Sequence, residues 1–537
     1  MVGAAVLRYW HVYALRDLPL FDRLIVDSEV YDSWAQRIAA GDWLGATSSR
    51  AFFMDPLYPY LLASIYKLAG RDLLVVRLVQ AVLGVATCGL VALIGRRLRD
   101  AAAGNLAALL MALYGAAIFQ DGEFEKTALG VFLAAASLAM FLSHSLGSRF
   151  VSGVAVSLAA LTRGNLLLLA PVAATYLLAT RQWRAAFVFL LGASMALAPV
   201  AWRNHHVSGE WVLTTSAMGQ NFYTGNNPGN PRGNYRYVPF VRPQPEHEEA
   251  DFLREAERRV GRPLTATEAS AFWFRAGLNH IAASPDFSFV AIANRLGLFW
   301  SDAEAPDGWD FRFIRRYSPA LRVAVVSFAV LAGLALLGAF SAYRTSSGRI
   351  VIAYVLLYCG SLAPFIVFSR YRLHVAPALA ALAGFGILWS ADRIKQGKHK
   401  TLAVPVCLGI ALMVLSALSF PSQRGEAISN YASLAEIYQE RDDFPRARAL
   451  LDEAARKAPG DPSILYALGA LNLRSGNIPV GLSYAIRCLE ADPTFPDAWY
   501  LLGLAWEASG RMDRAQEAYR RQLEVIPGHG PAQSRLR

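Results

Sequence analysis

Long apolar runs fill most of residues 72–200 and 318–420, and no other feature constrains the fold of this chain as strongly. About 20 predominantly apolar residues make a helix long enough to cross a bilayer. On that criterion, spans are expected near 73–95, 101–119, 127–143, 150–163, 165–181, 185–201, 318–341, 350–368, 373–391 and 401–420. Only 17% of the residues are charged, against about 25% in an ordinary soluble domain. The deficit lies in those runs, whereas 201–317 and 421–537 have the polar balance of water-exposed protein. The expected fold class is therefore all-α. It comprises a polytopic membrane helical bundle over 1–425, with a large loop at 202–317, and a helical tail over 426–537.

A net charge of +11 would ordinarily raise nucleic acid as a partner, but no Lys/Arg-rich block alternates with aromatics. Many basic residues instead lie between apolar runs: Arg96, Arg97 and Arg99; Arg181 and Arg184; Arg344 and Arg349; Arg393, Lys395, Lys398 and Lys400. Counting spans places these turns on one face, which the positive-inside rule makes cytoplasmic. The Asp27 loop, the Asp121–Glu125 turn, 202–317, Arg370–Arg372 and everything after 421 then face the extracytoplasmic side. The expected location is a bacterial inner membrane. Met1–Tyr13 is too short for a span and carries His11 near its end, and it lacks the basic start of a cleavable signal. We expect the natural chain to begin earlier, with a first helix missing or incomplete. The four cysteines, Cys88, Cys359, Cys407 and Cys488, form no CxxC pair, so neither a disulfide framework nor a zinc site is indicated.

The tail is periodic. Pro459, Pro493 and Pro527 stand 34 residues apart, which is the tetratricopeptide (TPR) period. Trp499, Leu502, Gly503, Trp506, Gly510, Ala515 and Tyr519 occupy consensus positions of the third unit. Leu468, Gly469 and Gly476 do so in the second, and Tyr431, Leu434, Ala435, Tyr438 and Ala447 in the first. Small residues at these places let paired helices approach, and aromatics fill the space between pairs. An α-solenoid that binds a protein partner in its groove is expected.

Carboxylates beside a bilayer are costly unless solvated, paired or used. Asp27 opens the phrase Asp27-Ser28-Glu29-Val30-Tyr31-Asp32-Ser33-Trp34-Ala35, whose spacing puts Asp27, Tyr31 and Ala35 on one helical face. Asp55-Pro56-Leu57-Tyr58 follows. Read alone, Asp27 is a helix cap or a solvated loop acid. Arg77 and Gln80 lie inside the first clear span, where an arginine needs a partner such as Asp72 or Asp121, or a ligand phosphate. Arg163-Gly164-Asn165 interrupts an apolar stretch, and Arg370-Tyr371-Arg372 opens another. Interfacial snorkelling is the plain reading of the latter pair. The turn Asp121-Gly122-Glu123-Phe124-Glu125-Lys126 returns acids to the Asp27 side; for Glu123 and Glu125, complementing a helix N-terminus is the better account. His205 and His206 are adjacent, so they do not share a helical face, and no third metal ligand is evident.

These phrases, in this order, resemble the GT-C glycosyltransferases, such as protein O-mannosyltransferases (glycosyltransferase family 39) and lipid A aminoarabinose transferases. The resemblance covers about 20–420. It rests on the Asp27 and Tyr58 phrases, Lys126-Thr127-Ala128-Leu129, Arg203-Asn204-His205-His206, Gly219-Gln220-Asn221-Phe222-Tyr223-Thr224-Gly225-Asn226, Phe299-Trp300 to Asp307, and Arg370-Tyr371-Arg372-Leu373. It implies a GT-C body that moves a sugar from a polyprenyl-phosphate donor to a protein, lipid or glycan acceptor on the outer side. It implies Asp27 as catalytic base, and Asp121 is our preferred second acid. Donor and substrate contacts are expected from Arg370, Arg372, Arg77, Lys126, Tyr31, Glu29, Tyr58, Arg163, Asn221 and Asn226. Ser28 departs from relatives that carry a second acid there, which leaves Glu29 as its substitute. His374 stands where relatives often have proline. No cofactor is indicated by the residues, while the resemblance admits a divalent cation, Mg²⁺ or Mn²⁺. Two other readings remain open: an inactive membrane-anchored TPR scaffold, and an enzyme like the O-antigen ligases.

Overall fold

The computed structural model describes residues 1–45, 50–230, 235–236, 238–242, 245–420, 427–526 and 529–537. The 425/426 boundary and Pro527 lie outside them. Two compact units emerge. One comprises Met1–Arg16 with Leu24–Arg424, and the other Asp17–Arg23 with Gly425–Arg537.

In the first unit, α1 (Val2–Leu15), α2 (Asp27–Ala39) and α3 (Leu57–Ala69) precede the long apolar helices. The N-terminal stretch is thus a helix that buries one face, including Ala4, Arg8, His11, Val12 and Leu15. Asp72 then caps α4 (Leu73–Leu98), accepting from the backbone N–H of Leu74 at 2.7 Å and of Val75 at 3.3 Å. The expected span 101–119 is broken in two, α5 (Ala101–Ala112) and α6 (Gly115–Gly122). The break is tertiary in origin. Tyr114 bridges to Val326, whose carbonyl accepts from Gly115 N–H at 3.3 Å, while Leu113 accepts from Val326 N–H at 3.1 Å. Next come α7 (Thr127–Phe141), α8 (Leu146–Ala160), a 3-10 turn at Gly164–Leu168, α9 (Leu169–Ala179) and α10 (Trp183–Ser208). Helix α10 ends on Gly209 at φ 75°, the left-handed conformation that glycine adopts without strain.

The loop 202–317 is itself helical: α11 (Met218–Gly225), α12 (Pro245–Val260), α13 (Ala266–Ala283), α14 (Pro285–Trp300) and α15 (Phe311–Arg315). A reciprocal Thr265–Glu268 capping box starts α13. A short α16 (Pro319–Val323) follows, so the span expected from 318 begins only at α17 (Phe328–Ala342). The body closes with α18 (Ser346–Leu362), α19 (Ser369–Arg372), α20 (Ala376–Lys395) and α21 (Ala403–Leu418). Helix α20 is buried continuously from Ala376 to Gly386 and packs on α4, α5 and α17. Among the described residues, four helices, Leu73–Leu98, Trp183–Ser208, Ser369–Lys395 and His399–Leu418, are long and apolar enough to cross a membrane; six shorter apolar helices accompany them.

One axis matters for the site. Helix α20 has 20 residues and is therefore about 30 Å long at 1.5 Å per residue. Arg370 and Arg372 stand at its head, and Arg393 and Lys395 in its last turn. Arg99, from the turn after α4, pairs with Asp392 at 2.5 Å, which joins two of the basic turns at that far end.

In the second unit, paired helices follow one another: α22 (Ile428–Glu440) with α23 (Phe444–Lys457), α24 (Pro462–Arg474) with α25 (Ile478–Ala491), and α26 (Ala498–Ala508) with α27 (Met512–Val525); α28 (Gly530–Leu536) closes the array. The consensus residues Tyr431, Leu434, Ala435, Ala447, Leu468, Leu502, Ala515 and Tyr519 are buried, as TPR packing requires.

Candidate active site

Asp27 is the first residue of α2, and the buried face Tyr31, Trp34, Ala35 and Ile38 holds that helix against the body. Asp27 therefore sits one turn beyond a fixed surface, with its side chain 24% exposed. Arg370 reaches it from α19. Its Nη2 lies 3.3 Å from Asp27 and 2.5 Å from Asp307, and its Nη1 pairs with Glu125. A carboxylate near the start of the chain and a guanidinium 343 residues later thus share one position.

The surroundings form a cavity of about 370 Å³ whose lining includes Gln120, Glu123, Glu125, Glu304, Asp307 and Arg370. Three carboxylates bear on the single guanidinium of Arg370. Burial pushes the Asp307 carboxyl above its ordinary value; Arg370 opposes the shift, and Asp27 and Glu125 add to it. On α12, Glu248 is pushed up to about 7, chiefly by burial and then by Asp27 and Asp307. A further cation lies beside this group. Lys126 pairs with Asp55 at 2.5 Å and sits 5.5 Å from the Tyr31 ring. The Tyr31 hydroxyl is fully buried and has no hydrogen-bond partner among the described residues.

Other expected site residues are placed elsewhere. Asp121, the expected second acid, is buried in an ion pair with Arg8 of α1 at 2.6 Å and is absent from the Arg370 cluster. Glu125, read from sequence as a helix-terminus charge, pairs with Arg370. Arg372 is buried, pairs with Glu304 at 2.6 Å, donates to the Ser301 carbonyl and lies over the Phe328 ring. It braces the loop that carries Asp307 and does not meet Asp27. Arg77 donates to the Gly122 carbonyl at 3.0 Å, and Gln80 accepts from the Tyr58 hydroxyl at 2.6 Å; both bonds are internal to the helix packing. Asn226 donates to the Phe222 and Pro364 carbonyls at 2.8 and 2.7 Å and accepts from Arg295, so it is a structural clamp. Glu29 and Asn221 are exposed. His205 and His206 stack separately, on Trp211 and Trp202. His374 is buried, with Nδ1 3.1 Å from the Tyr371 carbonyl.

Arg163 differs from the other cations. It is 9% exposed and lies 3.5 Å from the Tyr371 ring centroid, next to Arg370 in sequence. Its Nε has no hydrogen-bond partner among the described residues. Arg370, Arg372 and Lys126 are already engaged by carboxylates. Among the described residues, no group of three or more His, Cys, Asp or Glu side chains is arranged to hold a metal ion.

Sequence reasoning passed over Asp307, Glu125, Asp55 and Glu248. The first three stand inside the phrases set out above, so their neighbourhood is legible in the sequence whereas their ion-pair partners are not. No signal in the acidic, amphipathic sequence of α12 distinguishes Glu248 from a solvated charge.

Residues 54–203 match the family model described as dolichyl-phosphate-mannose-protein mannosyltransferase. Among solved structures, the chain is similar to ArnT from Cupriavidus metallidurans bound to undecaprenyl phosphate, at 16% identity and a TM-score of 0.41, over 97% of this chain and 79% of that one. It is also similar to the Archaeoglobus fulgidus oligosaccharyltransferase in the apo form, at 14% identity and a TM-score of 0.41, over 82% of this chain and 60% of that one. Two curated relatives match short stretches. The Hsp70-Hsp90 organizing protein 1 of Glycine max is 29% identical over 94 residues, 18% of this chain and 16% of its own length. A TPR repeat-containing protein of Pseudomonas aeruginosa is 29% identical over 84 residues, 16% of this chain and 80% of its own length. By the match at 54–203 and the phrases set out above, the helical body resembles the GT-C membrane glycosyltransferases, and it is followed by a TPR-like tail.

Proposed function

We propose that this chain is an integral membrane glycosyltransferase that moves a sugar from a polyprenyl-phosphate donor to an acceptor on the extracytoplasmic side of a bacterial inner membrane. The observation that carries the proposal is the meeting of Asp27 and Arg370 at 3.3 Å beside a cleft lined by Glu125, Glu304, Asp307 and Arg370. Glycosyl transfer to a hydroxyl or amine requires a base for the acceptor proton. It also requires cations where negative charge builds on the departing phosphate.

The geometry suggests how one cluster serves both needs. Of the two Arg370 Nη2 contacts, the one to Asp27 is the longer, 3.3 Å against 2.5 Å to Asp307. A donor phosphate arriving at Arg370 competes most easily with the weaker contact, and so frees Asp27 to accept the acceptor proton. Arg163 supplies the guanidinium that no described carboxylate neutralises, and Lys126 a further positive charge. Asp307 and Glu125 keep Arg370 in place while Asp27 works. The cluster lies at the end of α20 opposite Arg393 and Lys395, and the positive-inside rule assigns that basic end to the cytoplasm.

The test uses membrane vesicles with a labelled polyprenyl-phosphate sugar. Asp27→Asn should insert normally and lose transfer by about 100-fold or more, the scale of general-base contributions. Unchanged turnover in that variant removes Asp27 from the mechanism.

A further inference from the structure

Residues Asp17–Arg23 lie in sequence between α1 and α2, yet they group with the repeat array. The segment reads Asp17-Leu18-Pro19-Leu20-Phe21-Asp22-Arg23. Pro19–Phe21 forms a 3-10 turn with all three residues buried, and the turn packs on α22, the first helix of the array. Polar contacts flank it. Arg441 donates to the Pro19 carbonyl at 3.4 Å and pairs with Asp22 at 3.3 Å, and Arg23 pairs with Glu440 at 3.5 Å. Glu440 lies near Glu436 of the same helix and Asp497 of the turn before the third repeat. Partial burial first, then Glu440 and Asp497, push the Glu436 carboxyl up, while Arg23 and Arg474 hold it down. Exposed ion pairs are weak, and burial of two large apolar side chains is not. The Leu20–Phe21 pair therefore anchors the segment, and the charges set its register.

Only Leu24, Ile25 and Val26 separate this segment from Asp27. Val26 sits at φ 54°, a region that a β-branched residue adopts only under strain. Such strain persists where both flanks are fixed. Asp27 is held by α2 and Arg370, and Leu24–Val26 tie it covalently to the captured segment.

We propose that the repeat array holds the chain's own Asp17–Arg23 segment as its ligand, and that this capture positions Asp27. The second half rests on the reading of Asp27 as the catalytic base; the first half does not. A repeat array generally associated with partner recognition here serves as a positioning element for the site.

The experiment uses the full chain in vesicles with Cys407→Ser as background. The pair Asp22→Cys with Arg441→Cys should form a disulfide under mild oxidation, and neither single variant should. Leu20→Asp should abolish that cross-link and open the segment to protease. Arg23→Glu should reduce the yield, and Arg23→Glu with Glu440→Arg should restore it, a rescue that simple misfolding would not give. In the transfer assay, Leu20→Asp should lower kcat on the order of 10- to 100-fold, as expected when a reacting group drifts by about 1 Å, with donor KM unchanged. The cross-linked form should keep full kcat. Absence of the cross-link overturns the capture. A formed cross-link with undiminished kcat in Leu20→Asp overturns the coupling. An active Asp27→Asn variant overturns the base assignment instead and leaves the capture standing.

Discussion

At the scale of single residues, the site divides cations by whether they already have a counter-charge. A buried guanidinium that pairs with a carboxylate gains from an incoming phosphate only by exchanging that contact, as Arg370 exchanges its longer contact to Asp27. Arg163 needs no such exchange, so Arg163→Gln should raise the donor KM about 10-fold while the chain still inserts, measured by varying the labelled donor. Arg372→Gln should instead lower stability, because it leaves Glu304, only 12% exposed, without its counter-charge. Glu248 provides a pH test. Its carboxyl is raised from 4.5 to about 7 in the folded protein. The fold therefore retains a proton that the unfolded chain gives up, and stability falls as pH rises from about 4.5 through 7. Between pH 5 and 8, the wild-type Tm should decline more steeply than that of Glu248→Gln, followed by thermal unfolding in detergent. Sequence does not tell which acid of this turn meets Arg370. Three acids in one short turn are equivalent until the chain is folded, and Arg8, the partner of Asp121, lies 113 residues away.

At the scale of elements, the apolar runs announced most helices, because length and hydropathy are local properties. Breaks in those runs were less legible. The pause at Leu113–Tyr114 depends on hydrogen bonds to Val326, more than 200 residues later in the chain. The start of α17 is delayed for the same reason. Close helix packing was also hidden: a Cβ on Gly338 would overlap the Leu382 carbonyl on α20 and crowd Gly386. Gly338→Ala should accordingly destabilise the body by about 1–3 kcal/mol through overpacking. Thermal unfolding in detergent reads that cost directly. Because Arg370 stands at the head of α20, the same variant should also weaken transfer, and a Tm loss without any loss of kcat would mean that the α17–α20 contact is remote from the chemistry.

At the scale of the whole molecule, the sequence separates a membrane body from a repeat tail by hydropathy and period, and either could be imagined working alone. The assignment of Asp17–Arg23 to the repeat unit changes that expectation. Deleting 427–537 removes the surface that buries Leu20 and Phe21, so the segment before Asp27 loses its anchor and Val26 can leave its strained conformation. The body keeps its own core, including α20 and the Arg370 cluster. The truncated protein should therefore insert and bind donor with near-normal KM, yet turn over on the order of 10- to 100-fold more slowly, with new protease sensitivity at 17–23. A scaffold whose repeats carry the activity predicts complete loss, and an enzyme whose tail only recruits a partner predicts full turnover on a small soluble acceptor. Measuring kcat on such an acceptor distinguishes the three, because that substrate needs no recruitment and reports only how well Asp27 is held.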